Sequence, residues 1–371
     1  MHPRNWVEIS RGALRRNLAY VRGRLRPGTE VCAVVKADAY GHGAVECARV
    51  FVGGGARWLA VTSPEEGARL RRGLDAGGSE DVRILVLAGF ARGDAETLLE
   101  QRLTPAVWDP EQVAWLAEGL ARRGDGAMFP VHVKFESGMG RLGVTTAQEA
   151  AMAAALAAAP GLRVEAVFSH LAAAEGTEAP SAAQRERLLA AAARFAPGAA
   201  THLLNSEGAL RYAGWGGLMV RSGLALYGYS ADAASAARLE PALSWKTRVV
   251  GVKDLPAGHG IGYGALVRAP RAMRIAVIAA GYADGYRRQF WPGARVLIGG
   301  REAPVVGAIS MDLTTVDVTE LPAPALGEEV TLVGRGAEAA VTAVDLARLA
   351  GTIPYEILCG LSARVERRYL E

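Results

Sequence analysis

The chain has 371 residues, half of them apolar and 22% charged, a globular composition at a length that suits two domains better than one core. Its formal charge is only +4 and no run of five or more basic residues occurs, which argues against a nucleic-acid-binding face and suits a site for small anions such as phosphate or carboxylate. Cys32, Cys47 and Cys359 are too widely spaced for a zinc site or a disulfide framework, so reduced thiols and no metal are expected.

In chain order, the opening MHPRNWVEIS lacks the apolar core of a signal peptide, and segment 6–9 within residues 1–9 reads as a strand added to a later domain. From residue 11 to about 230, short runs rich in Val, Leu and Ile fall at 31–36, 57–61, 82–87, 103–107, 131–136, 163–169, 201–205 and 218–222. Between them lie amphipathic stretches such as 111–123 and 182–195. Eight strand-then-helix units predict a (β/α)8 barrel of the TIM type over 10–235, in preference to a doubly wound sheet. The alanine-rich stretch 147–159 is too short to span a membrane and ends at Pro160-Gly161; a soluble cytoplasmic protein without membrane association is the expectation.

Near residue 235 the texture changes. Candidate strands at 244–252, 274–278, 294–298, 303–306, 313–318 and 329–332 are separated by Gly, Pro and Asp, with one helix at 343–349. A mainly β C-terminal domain over 236–371 follows from this pattern. Chemistry in a (β/α)8 barrel gathers where the strands end at their C-terminal side, so the unusual polar residues there carry the most information.

The first barrel strand runs into Lys36, and only Lys134, Lys246 and Lys253 share that residue type. A lysine closing an apolar strand either snorkels to water or serves as a nucleophilic amine. The string V-V-K-A-D-A-Y-G-H-G around it closely resembles the pyridoxal-phosphate attachment signature of the alanine racemase family, whose fold is a (β/α)8 barrel followed by a β domain. Matching strings run in the family's order through nearly the whole chain, and the set is far more specific than any one of them.

The resemblance implies pyridoxal 5'-phosphate as cofactor, with Lys36 as its Schiff-base lysine and the base on one face of the substrate, and Tyr40 lining the cofactor site. H-V-K-F-E-S-G-M-G-R-L-G resembles the family's HxKxDTGMGRLG, which puts Arg141 beside the substrate carboxylate and Lys134 at a position often carbamylated in the family. Glu136 and Ser137 stand where Asp and Thr are usual, and either change is expected to loosen Arg141 slightly. His170, ending the sixth strand, matches a histidine that stacks on the cofactor ring, and Glu175 an acidic residue near the substrate's access route.

Asn205 and Ser206 are good helix N-caps on their own chemistry. The resemblance adds a role near the cofactor phosphate, shared with the amides of Gly223 and Leu224 and the hydroxyl of Tyr355 in I-P-Y-E. Arg221 matches the arginine on the pyridine nitrogen. Because arginine only donates, it leaves that nitrogen unprotonated and the ring a modest electron sink, which favours racemisation over transamination. Tyr263 in G-I-G-Y-G matches the base on the opposite face, supplied in the family by the partner subunit and activated here by His170 and Arg221. The implied assembly is a homodimer with a composite active site.

G-Y-A-D-G and S-M-D place Tyr282 near the access route and the Met311 amide on the substrate carboxylate. The segment 307–311 lacks the arginine and cysteine common in the family before that Met, and Ala308 within it is expected to alter the access route, which leaves serine open beside alanine as the small-molecule amino-acid substrate. The expected reaction is interconversion of L- and D-alanine, supplying D-alanine for peptidoglycan. A non-catalytic pyridoxal-phosphate homeostasis protein would lack the second domain, and a basic amino-acid decarboxylase would offer cysteine where Tyr263 stands.

Overall fold

The computed structural model describes residues 4–78, 81–124 and 126–371, so residues 1–3 of the expected added segment 1–9 lie outside the described residues. The chain divides into two compact units, one of Ala13–Ala39 and Ala44–Glu240, the other of Met1–Gly12, Tyr40–Gly43 and Pro241–Glu371. Strand β1 (Asn5–Ser10) belongs to the second of these.

The first unit holds β2 (Glu30–Val34), β3 (Trp58–Val61), β4 (Arg83–Val86), β5 (Leu103–Val107), β6 (Phe129–Lys134), β7 (Leu162–Phe168), β8 (Ala200–His202) and β9 (Met219–Ser222). Each pairs in parallel with the next from β2 to β8, and β9 pairs back onto β2. Two hydrogen bonds bring β8 and β9 together, from the Leu218 amide to the Thr201 carbonyl at 2.8 Å and from the Arg221 amide to the Leu204 carbonyl at 2.9 Å. The barrel is thus nearly closed. Its strands are apolar because both faces are covered, the outer one by helices such as Pro64–Asp75 and Pro110–Arg123. Those two helices start where the sequence writes a start, with Ser63 and Asp109 as side-chain caps and proline in the first turn.

One segment departs from expectation. The strand over 31–36 stops at Val34, and Lys36 opens a left-handed turn. Ala37, Asp38, Ala39 and Tyr40 have φ of 51°, 52°, 55° and 54°. Successive L-residues in that region each cost about 1–2 kcal/mol, because Cβ crowds the following carbonyl oxygen. Carboxylates hold the turn in place. Glu66 accepts from the amides of Ala37 at 2.9 Å and Thr62 at 2.7 Å, and Asp38 accepts from the Ala44 amide at 2.8 Å.

In the second unit, the thirteen-residue β10 (Leu243–Leu255) organises a nine-stranded sheet. It pairs antiparallel with β1, and beside it the two-residue β11 (Gly260–Ile261) and β12 (Val267–Arg268) form a separate ribbon. The other strands are β13 (Met273–Ile278), β14 (Arg295–Ile298), β15 (Arg301–Pro304), β16 (Thr314–Asp317), β17 (Glu329–Arg335), β18 (Ala340–Val341) and β19 (Glu366–Leu370). β1 is therefore held on both edges, by β10 and by the parallel β19. Trp6, Trp245, Tyr286 and Phe290 are fully buried in its core. The expected helix is Ala343–Leu349, and a second, Pro354–Cys359, is too short to show periodicity in the sequence.

Residues Tyr40–Gly43 pack in this second unit. The Tyr369 hydroxyl donates to the His42 carbonyl at 3.0 Å and the Arg367 Nε to the Gly41 carbonyl at 3.2 Å. Only glycine fits at 41, since φ is +80° and a Cβ would lie 2.3 Å from the Leu358 carbonyl oxygen. Among the described residues, no helix is long and apolar enough to cross a membrane.

Ala37 is exposed, so Ala37→Gly relieves backbone strain without opening a cavity. Relief of about 1–2 kcal/mol, set against the entropy glycine adds to the unfolded chain, should raise stability by roughly 0.5–1 kcal/mol. A raised urea midpoint is the expected result.

Candidate active site

Arg221 sits in β9, inside the barrel, with only 4% of its surface exposed. A buried guanidinium needs its donors satisfied. Nη1 donates to His202 Nδ1 at 2.6 Å. Nη2 donates to the carbonyls of Ser169 at 2.7 Å and Leu203 at 3.1 Å, and to His170 Nδ1 at 3.3 Å. Burial pushes the group down to about 10, so it stays cationic at neutral pH. Among the described residues none accepts from its Nε–H, which is left for a ligand.

Further cations gather at the same end of the barrel. Lys134, the last residue of β6, is buried, with its ammonium 5.6 Å from the Trp108 ring centre and 5.9 Å from that of Phe168. Burial first, then the charges of Arg141, Arg221 and Lys36, push its amine down to about 8 against the pull of Glu136. His170 is held down at about 3 by burial and by Arg221, Arg141, Lys134 and Lys36. These shifts bring together five residues singled out from the sequence: Lys36, Lys134, Arg141, His170 and Arg221.

The anionic side chain acting on Lys134 is already engaged. Glu136 accepts from the amides of Gly138 at 2.5 Å, Met139 at 2.6 Å and Arg141 at 3.2 Å. It therefore shapes the loop backbone, while the Arg141 guanidinium makes no hydrogen bond or ion pair to a described residue. Ser137 is equally committed, its hydroxyl 2.7 Å from that of Ser169. A cluster of cations beside a carboxylate bound in this way fits a ligand that carries negative charge.

A second polar group lies between β8 and β9. The Ser206 hydroxyl accepts from the amides of Gly223 at 2.9 Å and Ala225 at 3.3 Å, with the Ser222 hydroxyl 3.4 Å away. Leu224 opens the short turn Leu224–Tyr227, whose leading amides have no partner within the turn. Asn205 does what its type alone suggests and caps the helix Ser206–Arg211, accepting from the Gly208 amide at 2.9 Å. Hydroxyls beside the leading amides of a helical turn suit a phosphate, with Ser206 already gathering the amides of Gly223 and Ala225.

Other residues singled out from the sequence lie in the other unit. Tyr40 and Tyr355 face each other with ring centres 5.9 Å apart, and burial pushes the Tyr40 hydroxyl up. The Tyr282 amide donates to Ser310 at 3.0 Å and the Ala283 amide to Met311 at 3.0 Å, so the G-Y-A-D-G and S-M-D strings lie side by side. Gly281 makes this approach feasible: a Cβ there would fall 2.3 Å from the Met311 carbonyl oxygen. Arg364 ties the two strings together, donating to Asp284 at 2.6 Å and Asp312 at 2.7 Å. Tyr263 stands in the turn Tyr263–Ala265 between β11 and β12, and is 73% exposed on its own chain.

Sequence reasoning passed over Arg364, Glu66 and His202. Only His202 carried a signal, as a second histidine near a barrel strand end.

The His170 shift has a definite sign for stability. The unfolded chain takes up a proton as pH falls through about 6.5, and the folded chain does so only near 3. Stability from this group is therefore complete above 6.5 and lost as pH falls towards 3. His170→Asn should flatten that part of the curve of urea midpoint against pH.

Comparison with known proteins gives the same picture from a separate direction. The family model for the alanine racemase N-terminal domain matches residues 9–231, and that for the C-terminal domain matches residues 242–369. The alanine racemase of Symbiobacterium thermophilum is 41% identical over 98% of this chain and 96% of its own length. The crystal structure of the Bacillus anthracis enzyme with bound L-Ala-P aligns with a TM-score of 0.90 at 33% identity, covering 100% of this chain and 96% of that one. The alanine racemase from Bartonella henselae, solved with covalently bound pyridoxal phosphate, aligns at 0.87 and 27% identity over 100% of both chains. The chain belongs to the alanine racemase family, isomerases that depend on pyridoxal phosphate.

Proposed function

We propose that this chain interconverts L- and D-alanine as a cytoplasmic homodimer, supplying D-alanine for peptidoglycan. Residues 10–235 would form the cofactor-binding barrel and 236–371 the β domain. The observation that carries the reading is Arg221: a permanent donor, buried, with its Nε–H uncommitted. Bound pyridoxal phosphate supplies an electron-withdrawing ring that acidifies the substrate's α-hydrogen. Lys36 would attach it, and His170 would pack on the ring. Ser206 with the amides of Gly223 and Leu224, Asn205, Tyr40 and Tyr355 would hold its phosphate end.

Arg221 cannot accept a proton, so a ring nitrogen in front of its Nε–H stays unprotonated. That moderates electron withdrawal and keeps the α-carbon basic enough to regain its proton quickly. Arg141 and the Met311 amide would bind the substrate carboxylate, with Tyr282 beside the access route.

Inversion needs one proton acceptor on each face of the α-carbon. Lys36 Nζ serves one face and the Tyr263 hydroxyl the other. Tyr263 lies exposed on its own chain, which suits donation to a partner's site. His170 accepts from Arg221 at Nδ1, so as a neutral ring it carries its proton on Nε2 and can donate towards the tyrosine oxygen. Lys134, with its amine at about 8, has a neutral fraction that can add carbon dioxide, giving a carbamate and a proton. The resulting anion would pair with Arg141.

The first test is racemisation of L-alanine and L-serine by the holoenzyme, followed by chiral chromatography. Rapid loss of chirality for alanine supports the assignment, faster turnover of serine overturns the substrate, and inertness to both overturns the reaction. Tyr263→Phe should lower turnover by about 10²- to 10⁴-fold while exchange of the α-hydrogen with D2O persists on one enantiomer. Mixing Lys36→Ala with Tyr263→Phe chains should restore roughly a quarter of wild-type activity, since half the random dimers then hold one complete site. No restoration would sink the composite site.

A further inference from the structure

Arg221 is a buried cation with no carboxylate in contact, and its partners are carbonyls and imidazoles. A chain of side chains leads away from it through the barrel interior. His202 Nε2 lies 3.0 Å from His132 Nδ1, and His132 Nε2 lies 3.2 Å from Glu165 Oε2. Two arginines close the far end: Arg83 donates to Glu165 Oε1 at 2.5 Å, and the Arg163 Nη2 lies 3.7 Å from the same oxygen. Both imidazoles are essentially inaccessible to solvent. They are also clamped: His202 stacks on Phe168 with ring centres 4.6 Å apart and planes at 5°, and Trp58 lies 5.2 Å from His132.

The direction of every link follows from its two ends. Arg221 can only donate, so His202 Nδ1 accepts. A neutral His202 then carries its proton on Nε2 and donates to His132 Nδ1. His132 in turn carries its proton on Nε2 and donates to Glu165, whose carboxylate only accepts. Any other arrangement sets a donor against a donor in a dry interior, which costs about 1–3 kcal/mol at each failed link. Burial holds both imidazoles below their usual range, so neither becomes cationic at neutral pH. Burial raises Glu165, but the hydrogen bonds from His132 and Arg83 prevail and leave it ionised, at about 2.

We infer that Glu165 and His132 are positioning residues for Arg221, acting through His202 as a one-way relay that keeps an accepting Nδ1 turned towards the guanidinium. The device has a purpose within the proposed reaction, on which this part of the inference rests. A carboxylate in direct contact with Arg221 would weaken the positive field that receives an anionic cofactor, and would offer a competing acceptor to the Nε–H. Set two imidazoles away and paired with Arg83 and Arg163, the carboxylate fixes the tautomers that Arg221 needs and stays out of the pocket.

The test begins on the cofactor-free protein, by 15N-resolved NMR of the imidazoles in selectively labelled chain. The expected result is a proton on Nε2 alone for both His132 and His202, unchanged from pH 6 to 9. A proton on Nδ1 of either ring, or a cationic ring, overturns the relay. Glu165→Gln should then shift the His202 and Arg221 side-chain signals, which it does not touch, and Glu165→Asp should partly restore them. Signals that stay in place overturn the coupling. In the holoenzyme, Glu165→Gln should lower kcat about tenfold, the loss of one ordinary hydrogen-bond increment, with little change in KM. An unchanged kcat overturns the positioning role. Should the wild type prove inert as a racemase, the cofactor-free NMR results still decide the relay; should Glu165→Gln fail to fold, the wild-type tautomers decide it.

Discussion

A permanent charge placed where water cannot reach it sets the terms for the barrel interior. The Arg221 guanidinium has four acceptors, two of them backbone carbonyls at Ser169 and Leu203. Those carbonyls can face inward because β7 and β8 end just before them, at Phe168 and His202. An unpaired ion in such a place would cost several kcal/mol, and hydrogen bonds to a charged group contribute about 1.5–3 kcal/mol each, so most of these contacts are needed merely to balance the burial. The same charge lowers the proton affinity of Lys134 and His170. One residue thus orders its neighbours in space and in protonation together.

Chemistry is divided between the two units in a consistent way. The barrel unit gathers the cations and the phosphate-type donors, on strand ends and the short turns after them. The β unit holds its tyrosines and Met311 on a frame of backbone pairing: Gly281 lets two strings meet, and Arg364 bridges Asp284 and Asp312. Tyr263, Leu266, Met311 and Ile353 are all more than half exposed.

Much of this was legible in the sequence, for a physical reason: parallel strands buried on both faces write continuous apolar runs, and helices such as Pro110–Arg123 write caps. The site strings were legible because close approach and strand-end placement constrain residue type at many positions in a row. What escaped was whatever lacks a period. β11 and β12 are two residues each, and β19 reads as a charged tail, E-R-R-Y-L, because its partner β1 supplies the apolar company. His132 was visible as a letter within a matching string and Glu165 as an ordinary strand residue. Only the meeting of β6, β7 and β8 gives them a common purpose. Glu66 was hidden for the same cause, since one of the two amides it serves, that of Ala37, lies far from its own turn of helix.

The left-handed turn after Lys36 has a consequence for how the molecule comes into being. Three residues beyond the turn's first strained position, the chain leaves the barrel unit, contributes Tyr40–Gly43 to the other unit, and returns at Ala44. The conformation that orients Lys36 is unfavourable in isolation and is held from both sides, by Glu66 and Asp38 in one unit and by Arg367 and Tyr369 in the other. A nascent chain with only its first 240 residues folded would lack the second set of restraints, and the turn after Lys36 would then be held on one side only. The left-handed turn is in this sense a report on completed synthesis: its full set of restraints is acquired last, when the carboxyl-terminal strand has found its place.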